Sequence, residues 1–513
     1  MKNTKNGSLK NKINLTDYGP AFLKVAVLAA SCMVVSMSLM VNLSPERFLG
    51  GTLIAFVLLF ILYRDIMRYK PSYVKNYTML LLLSLMIVST LLIGRLFEYL
   101  LSNLTVGFVT PATAMYGIPL AAGAMLVTLL FDFHTAITFS FTISLLSGYW
   151  LRDSLYPIYV FVGSLTAAFG VIRCKKRSAL LRGGFYVALA NLLLVCIILL
   201  SKNRLFTNDL PSAVFFAVFS GISVSAIVSL MLPFLEYTFK ITTDISLLEL
   251  LDLNQPLMKT LMITAPGTYH HSVIVGNLVE SASEAIGVNP LLARVSAYYH
   301  DIGKVKMPDY FVENQSTSPS KHSKLTPHMS AMIIISHVKE GVELARQYKI
   351  PQPIIDIIKQ HHGTSVITYF FQKAKEQDQV DVPAEDDYRY PGPAPQTRVA
   401  ALVMMADAVE AASKVLTDPT PARISALVEK IINHIFLEGQ LDDCELTLKD
   451  ISEIKKRFTY ILTGIFHKRI DYPGFDFSDA NLLKEQPKIN KVKPEEDKKG
   501  LKQGAKTARA SDS

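Results

Sequence analysis

Charge is scarce in this chain. Of 513 residues only 19% are charged while 50% are hydrophobic, a balance that excludes a wholly soluble protein of this length and places part of the chain in lipid. Cysteine is nearly lacking as well. Cys32, Cys174, Cys196 and Cys444 are scattered without the spacing of a metal knuckle or a disulfide framework, so neither is expected from them. Ionisable residues inside the apolar runs are few: Lys24 and Arg95 sit near run ends, and Asp132 and His134 fall at a tight turn. Nothing there marks an ion path, which argues against a transporter. A cleavable signal peptide is a competing reading of residues 1–42, but no convincing small-residue cleavage site follows the basic start; cleavage would leave seven spans, with the C-terminal half still inside.

What is present divides near residue 240. Eight apolar stretches long enough to cross a bilayer fall near 21–42, 48–64, 77–99, 107–131, 134–151, 155–173, 185–201 and 212–236. Lysine and arginine gather at the N-terminus (Lys2, Lys5, Lys10, Lys12), in the second loop (Arg64, Arg68, Lys70, Lys75) and in the sixth (Arg173, Lys175, Lys176, Arg177, Arg182). Cytoplasmic loops hold such residues, so both termini are expected in the cytoplasm. The expected organisation is a cytoplasmic N-terminus (1–20), a transmembrane region (21–239), an amphipathic connector (240–265), a soluble helical domain (266–484) and a basic tail (485–513) read as disordered. The net charge of +9 resides largely in membrane-flanking loops and the tail. A lipid bilayer is therefore the expected partner, and nucleic acid is not.

The soluble half concentrates histidine. Eight of the eleven histidines lie between His270 and His362, and helix signals place them on separate helices. Asn289 and Pro290 open a helix "LLARVSAYYHD" that should stop at Gly303, with His300 and Asp301 on its last turn. "PIIDIIKQHH" ends in His361-His362 with Gly363 as its stop. A third helix begins at Thr326-Pro327 and carries His337, and a fourth opens near Gly267-Thr268 with His270 and His271 on its first turn. The fifth, "TRVAALVMMADAVEAASKVL", surrounds Asp407 with apolar residues, and a carboxylate there is costly unless compensated.

A transition-metal ion is compensation that also explains the gathered imidazoles, because His nitrogen and Asp oxygen are ligands of iron, manganese and zinc. One ion would take His271, His300, Asp301 and Asp407; a second would take Asp301, His337 and the His361-His362 pair, with Asp301 between them. Each piece alone has a plainer explanation: His300 and His361 suit helix C-termini as cations, and His337 suits a core. His322 and His328 read as loop residues, and His434 and His467 as structural.

The ordered motifs "APGTYHHSVIVGNLVESASEAIG", "NPLLARVSAYYHDIGK", "MIIISHVKEGVELA", "IIKQHHGTSVITYFF" and "YRYPGPAPQTRVAALVMMADAVEAAS" resemble the HD phosphohydrolase superfamily. More closely, they look like the seven-transmembrane HD family of bacterial membrane phosphodiesterases, over roughly residues 50–475 and most strongly over 245–475. The resemblance implies an all-α fold, a polytopic helical bundle followed by a cytosolic HD domain, on the bacterial inner membrane. It implies a hydrolase cleaving cyclic di-AMP to linear pApA with two divalent ions, Mn2+ or Fe2+, held by His271, His300, Asp301, His337, His361, His362 and Asp407. His300, Asp301 and Lys304 would act in catalysis, Lys304 by reaching phosphate, although a solvated lysine at a helix end is an equal alternative. His270 stays outside the ligand set.

Two absences qualify the resemblance. Relatives carry a large extracytoplasmic sensor domain between the first two spans, where this chain has only "LSPER". The Gly-Tyr-Pro motif that follows the paired histidines of cyclic di-GMP-cleaving relatives is missing after His362. The alternatives left open are another cyclic dinucleotide or nucleotide as substrate, and a receptor that binds nucleotide without cleaving it. A homodimer is compatible with either.

Overall fold

The structure is a computed structural model, and it describes residues 31, 34–35, 44–104, 109–172, 174, 176–315, 321–377 and 383–466. Most of the expected first span, the N-terminal residues 1–20, His467 and the basic tail lie outside the described residues. Among those described there is no strand, only an isolated antiparallel bridge between Val366 and Arg389.

Among the described residues, seven longer helices and one five-residue helix, Pro71–Lys75, make up the membrane half. The longer ones are α1 (Pro45–Tyr69), α2 (Tyr77–Ser102), α3 (Ala121–Leu130, preceded by a 3-10 turn Pro111–Gly117), α4 (Phe133–Leu151), α5 (Tyr156–Val171), α6 (Ser178–Ser201) and α7 (Asp209–Phe239). Among the described residues five helices are long and apolar enough to cross a membrane, the third of them running Ala112–Leu130 through the 3-10 turn. The expected stretch 155–173 forms a shorter apolar helix, Tyr156–Val171, and 134–151 forms α4, where Ser, Thr and His dilute the hydropathy. Burial separates these helices: the apolar window of Ala112–Leu130 is 83% buried, whereas the other four lie between 33% and 44%. The other four thus keep apolar side chains such as Leu53, Leu96, Leu193 and Leu230 on the outer surface, where a bilayer replaces water as solvent.

Lys240, at φ 53°, ends α7 and turns the chain into the soluble half. There, α8 (Asp244–Leu250) and α9 (Pro256–Thr264) make up the connector, followed by α10 (Pro266–Ile286), α11 (Pro290–Tyr299), α12 (Pro327–Gln347), α13 (Gln352–Gln360), α14 (Thr368–Gln377), α15 (Arg398–Ser413), α16 (Pro421–Leu437) and α17 (Leu448–Ile465). The helix starts follow local chemistry. Asn289, Thr326 and Thr397 accept hydrogen bonds from the first-turn amides of Leu291, Met329 and Ala400, and Pro290 and Pro327 occupy the first helical position, where no donor is needed. The connector does not hang free. Leu247 of α8 and Leu257, Met258 and Leu261 of α9 share a core with Val295, Tyr299, Ile302 and Ile358.

One expectation is corrected. The α-helix ends at Tyr299, and Gly303 lies inside a following 3-10 turn, Ile302–Lys306, with no positive φ. Its role is close approach: a Cβ on Gly303 would stand 1.9 Å from the carbonyl oxygen of His337 on α12. Gly363 does act as the expected stop, at φ 53°. Gly303→Ala is accordingly expected to push α12 away and cost about 1–3 kcal/mol, read as a lowered unfolding temperature together with weakened metal retention.

Candidate metal centre

Four imidazoles converge from four elements. His271 comes from the first turns of α10, His300 from just past the end of α11, His337 from mid-α12 and His361 from the end of α13, and all four are buried. Each ring is held on its Nδ1 side. His300, His337 and His361 donate to the carbonyls three residues back, Ala297 (2.7 Å), Ile334 (2.5 Å) and Ile358 (2.8 Å), and His271 donates to Glu410 Oε2 (2.6 Å). With Nδ1 so engaged, Nε2 is the free ligand atom and the ring orientation is fixed, as metal-binding histidines require.

The Nε2 atoms surround Asp301. Its Oδ1 lies 3.3 Å from His337 and 3.6 Å from His361; its Oδ2 lies 3.3 Å from His300 and 3.7 Å from His271. One carboxylate thus faces two histidine pairs, one with each oxygen. Asp407, from α15, sets Oδ1 2.9 Å from His271 Nε2 and Oδ2 3.6 Å from His362 Nδ1. Two groups result, His271-His300-Asp301-Asp407 and Asp301-His337-His361-His362, each with ligand atoms within 4.8 Å of one another.

These groups fit metal ions for a reason internal to the geometry. Nε2 of His271, Nε2 of His300 and both oxygens of Asp301 are buried without a partner in hydrogen-bond geometry, although ion-pair neighbours stand close. Nε2 of His337 and Nε2 of His361 face each other at 3.3 Å while both Nδ1 atoms bond carbonyls. Two lone pairs in that position call for a cation between them. Orphaned polar atoms of this kind are otherwise costly.

The charges agree. Burial opposes charging His300, but Asp301 and Asp407 outweigh it and push its pKa up to about 10; His271 is likewise raised against burial by Asp407 and Glu410. Burial alone would raise Asp301 and Asp407, yet Lys304 and His300 beside the first, and His271 and His300 beside the second, hold both well below the usual carboxylate range. On the other side, burial and neighbouring imidazoles keep His361 and His362 low and therefore neutral. The carboxylate side thus demands positive charge, which protons supply until a metal displaces them.

The geometry brings together all seven expected ligand positions and leaves His270 outside, exposed beside Tyr269. Lys304 is near but engaged, with Nζ 2.6 Å from Asp301 Oδ2 and 2.9 Å from Glu313 Oε1. The acidic run Glu385-Asp386-Asp387 is exposed, as its charge requires, with Arg389 pairing Glu385 and Asp386.

Three partners escaped the sequence reading. Glu313 ties Lys304 to Thr268 Oγ1 (3.0 Å). Tyr390 stacks on His362 at 4.3 Å. Glu410, buried and held by Lys414 (2.9 Å), orients His271. Only Glu410 left a sequence signal: it falls three residues after Asp407 on the same apolar helix, hence on the same face. Glu410→Gln should weaken metal affinity by about 10- to 100-fold with little change in unfolding temperature, as competition with a chromogenic chelator would measure.

Comparison with known proteins matches this architecture. A family described as a 7TM receptor with intracellular HD hydrolase matches residues 45–243, and an HD domain family matches residues 268–412. The chain belongs to this seven-transmembrane HD family. The cyclic-di-AMP phosphodiesterase PgpH of Bacillus subtilis (strain 168) is 40% identical over 367 residues, 70% of this chain and 51% of that protein. The protein of the same name from Listeria monocytogenes serotype 1/2a (strain 10403S) is 37% identical over 408 residues, 79% of this chain and 56% of the relative. The chain therefore spans about half the length of the curated relatives it matches. A crystal structure of the L. monocytogenes PgpH HD domain is 47% identical, with 42% of this chain and 100% of that one covered at a TM-score of 0.40. The family match to residues 45–243 takes in α1–α7, and the HD match takes in every candidate metal ligand.

Proposed function

We propose that the chain is a di-metal phosphodiesterase of the bacterial cytoplasmic membrane that hydrolyses cyclic di-AMP to linear pApA, with its HD domain on the cytoplasmic side. The observation that carries the reading is Asp301, a buried carboxylate presenting one oxygen to each of two histidine pairs. Nucleotide binding alone has no need of that arrangement. The substrate assignment is supported by the two relatives named cyclic-di-AMP phosphodiesterase.

Divalent manganese or iron, the ions this donor set suits, would lower the pKa of water and neutralise phosphate charge. His271, His300, Asp301 and Asp407 would hold one and Asp301, His337, His361 and His362 the other. In the hydrolysis, water oxygen bonds to phosphorus, the bond from phosphorus to the 3′ oxygen breaks, and the water proton ends on the departing 3′ oxygen. Asp301 fixes the spacing of the two ligand groups. Lys304 pairs with Asp301 and Glu313; cations held by Asp301 would compete for that carboxylate, and the ammonium would then be placed to meet the substrate phosphate.

A cleft of about 560 Å³ adjoins the centre, lined by Tyr310, Phe311, Glu313, His322, Ile334 and Phe370 among others. It meets the ligand groups through Phe311, whose ring lies 5.7 Å from His337, and Glu313, which holds Lys304. Its aromatic walls suit a nucleobase, since stacking needs only a flat face. Phe370→Ala is expected to raise KM about tenfold, the equivalent of one lost stacking contact, with kcat nearly unchanged in steady-state kinetics.

The deciding experiment incubates the manganese-loaded full chain in lipid nanodiscs with cyclic di-AMP, cyclic di-GMP and a mixed cyclic dinucleotide. Chromatography should show pApA as the dominant product. Cleavage of another substrate at a higher kcat/KM would overturn the adenine assignment while keeping the metal centre. Retention of intact nucleotide without any product would leave a receptor.

A further inference from the structure

The membrane bundle is linked to the metal centre by polar contacts joined through short stretches of the chain itself. Arg177 lies at the N-terminal edge of α6, in the basic loop after α5. Its guanidinium clasps Glu249 of α8 with two hydrogen bonds, Nε to Oε1 at 2.7 Å and Nη2 to Oε2 at 3.1 Å, and its Nη2 lies 3.9 Å from Glu236 near the end of α7. Glu236 in turn accepts from the hydroxyl of Thr243, the residue that caps the start of α8. Three parts of the chain, the α5–α6 loop, the last membrane helix and the connector, therefore meet at one guanidinium. Paired bonds of this kind fix orientation as well as distance.

From α8 the contacts continue inward. The carbonyl of Glu249 accepts from Gln255 Nε2 (2.8 Å), which closes the turn into α9. The next carbonyl, Leu250, accepts from the hydroxyl of Tyr299 (3.0 Å). Tyr299 is fully buried, and the residue after it is His300, followed by Asp301. Leu247 of α8 also packs in the same core as Tyr299 and Ile302, the residues on either side of the His300-Asp301 pair. A packed interior of this kind transmits displacement because it has no free volume to absorb it.

We infer that Arg177 is a positioning residue for the metal centre: by clamping Glu249 it fixes α8, whose Leu250 carbonyl holds Tyr299 and so the bridging Asp301. The membrane bundle is then a working part of the hydrolase, and a movement of the α5–α6 loop against α7 changes how well Asp301 spans the two ligand groups. The inference rests on the metal-centre reading above and is independent of which nucleotide is cleaved.

The test uses the full chain in lipid nanodiscs, as Arg177→Glu, Glu249→Arg, the exchanged pair Arg177→Glu/Glu249→Arg, and Tyr299→Phe. Two quantities are read: amide hydrogen exchange of the segment 295–306, which needs neither metal nor substrate, and kcat of the manganese-loaded protein. Arg177→Glu should speed exchange in that segment and lower kcat, each by about two- to fivefold, the upper part of the range of a half-exposed ion pair, without a matching rise in KM. Tyr299→Phe should do the same by removing the link to Leu250. The exchanged pair should recover at least half of both losses, which assigns them to the broken ion pair; far-ultraviolet circular dichroism of each single variant should match the parent. Unchanged exchange in Arg177→Glu and Tyr299→Phe would overturn the inference, and so would an exchanged pair no better than either single variant. Altered exchange with wild-type kcat would overturn the catalytic role of the clamp; loss of all hydrolysis in the unsubstituted chain would count against the proposed function, with exchange still deciding the clamp.

Discussion

Asp301→Ala is expected to lower the proposed hydrolysis of cyclic di-AMP by at least about 10³-fold, since it removes the candidate ligand common to both groups and not merely one contact in the transition state. The protein should still fold. Lys304, which loses Asp301 as a partner, keeps Glu313 at 2.9 Å, so no buried cation is left alone. Asp301→Asn is the sharper variant because it preserves shape and removes only charge and one acceptor. Its kcat should fall nearly as far, while far-ultraviolet circular dichroism matches the parent protein. A loss of less than tenfold in both variants would show that the two histidine pairs work without a bridge.

Removing the metal should have an effect of similar size on activity and a second one on stability. Treatment with a strong chelator is expected to abolish hydrolysis, and manganese or ferrous iron should restore it. Magnesium should not, because a centre with four buried imidazoles offers too few oxygen ligands for that ion. Stability should fall at the same time. At a metal concentration 100 times the dissociation constant, binding adds about 2.7 kcal/mol per site, and the stripped protein also retains the facing Nε2 atoms of His337 and His361. Differential scanning calorimetry of stripped and reloaded protein would measure the shift; identical transitions would mean that the histidines are satisfied without an ion.

Much of this candidate centre could be read from the sequence because the residues that would hold the ions sit where helix signals are strong. Asn289-Pro290, Thr326-Pro327 and Gly363 mark helix ends without reference to the rest of the fold, so His300, Asp301, His337, His361 and His362 could be assigned to elements beforehand. Asp407 stood out because an apolar helix does not tolerate a lone carboxylate. What remained hidden depends on contacts between elements. Nothing local to Gly303 shows that the α12 backbone passes within reach of its missing Cβ; a glycine after a helix reads more simply as a stop. Glu313 and Tyr390 lie in a 3-10 turn and in the loop before α15, where no periodicity ties them to Lys304 or His362. The role of α8 was hidden for the same reason, since "SLLELLD" shows an amphipathic helix but not that its last carbonyl meets Tyr299.

In the membrane half, hydropathy located the helices but not their standing. Residues 107–131 resemble a single span, yet a 3-10 turn at Pro111–Gly117 precedes α3, and this segment is the most deeply buried of the five. Its Gly, Ala and Thr residues suit close packing against other helices more than contact with lipid.

The measurement that bears most directly on the bridging role of Asp301 is the metal content of the full chain, by inductively coupled plasma mass spectrometry after loading with manganese and removal of the excess. Two ions per chain are expected in the parent protein, and markedly fewer in Asp301→Ala. One ion or none in the parent protein, or two in the variant, would contradict a centre in which a single carboxylate joins two metals.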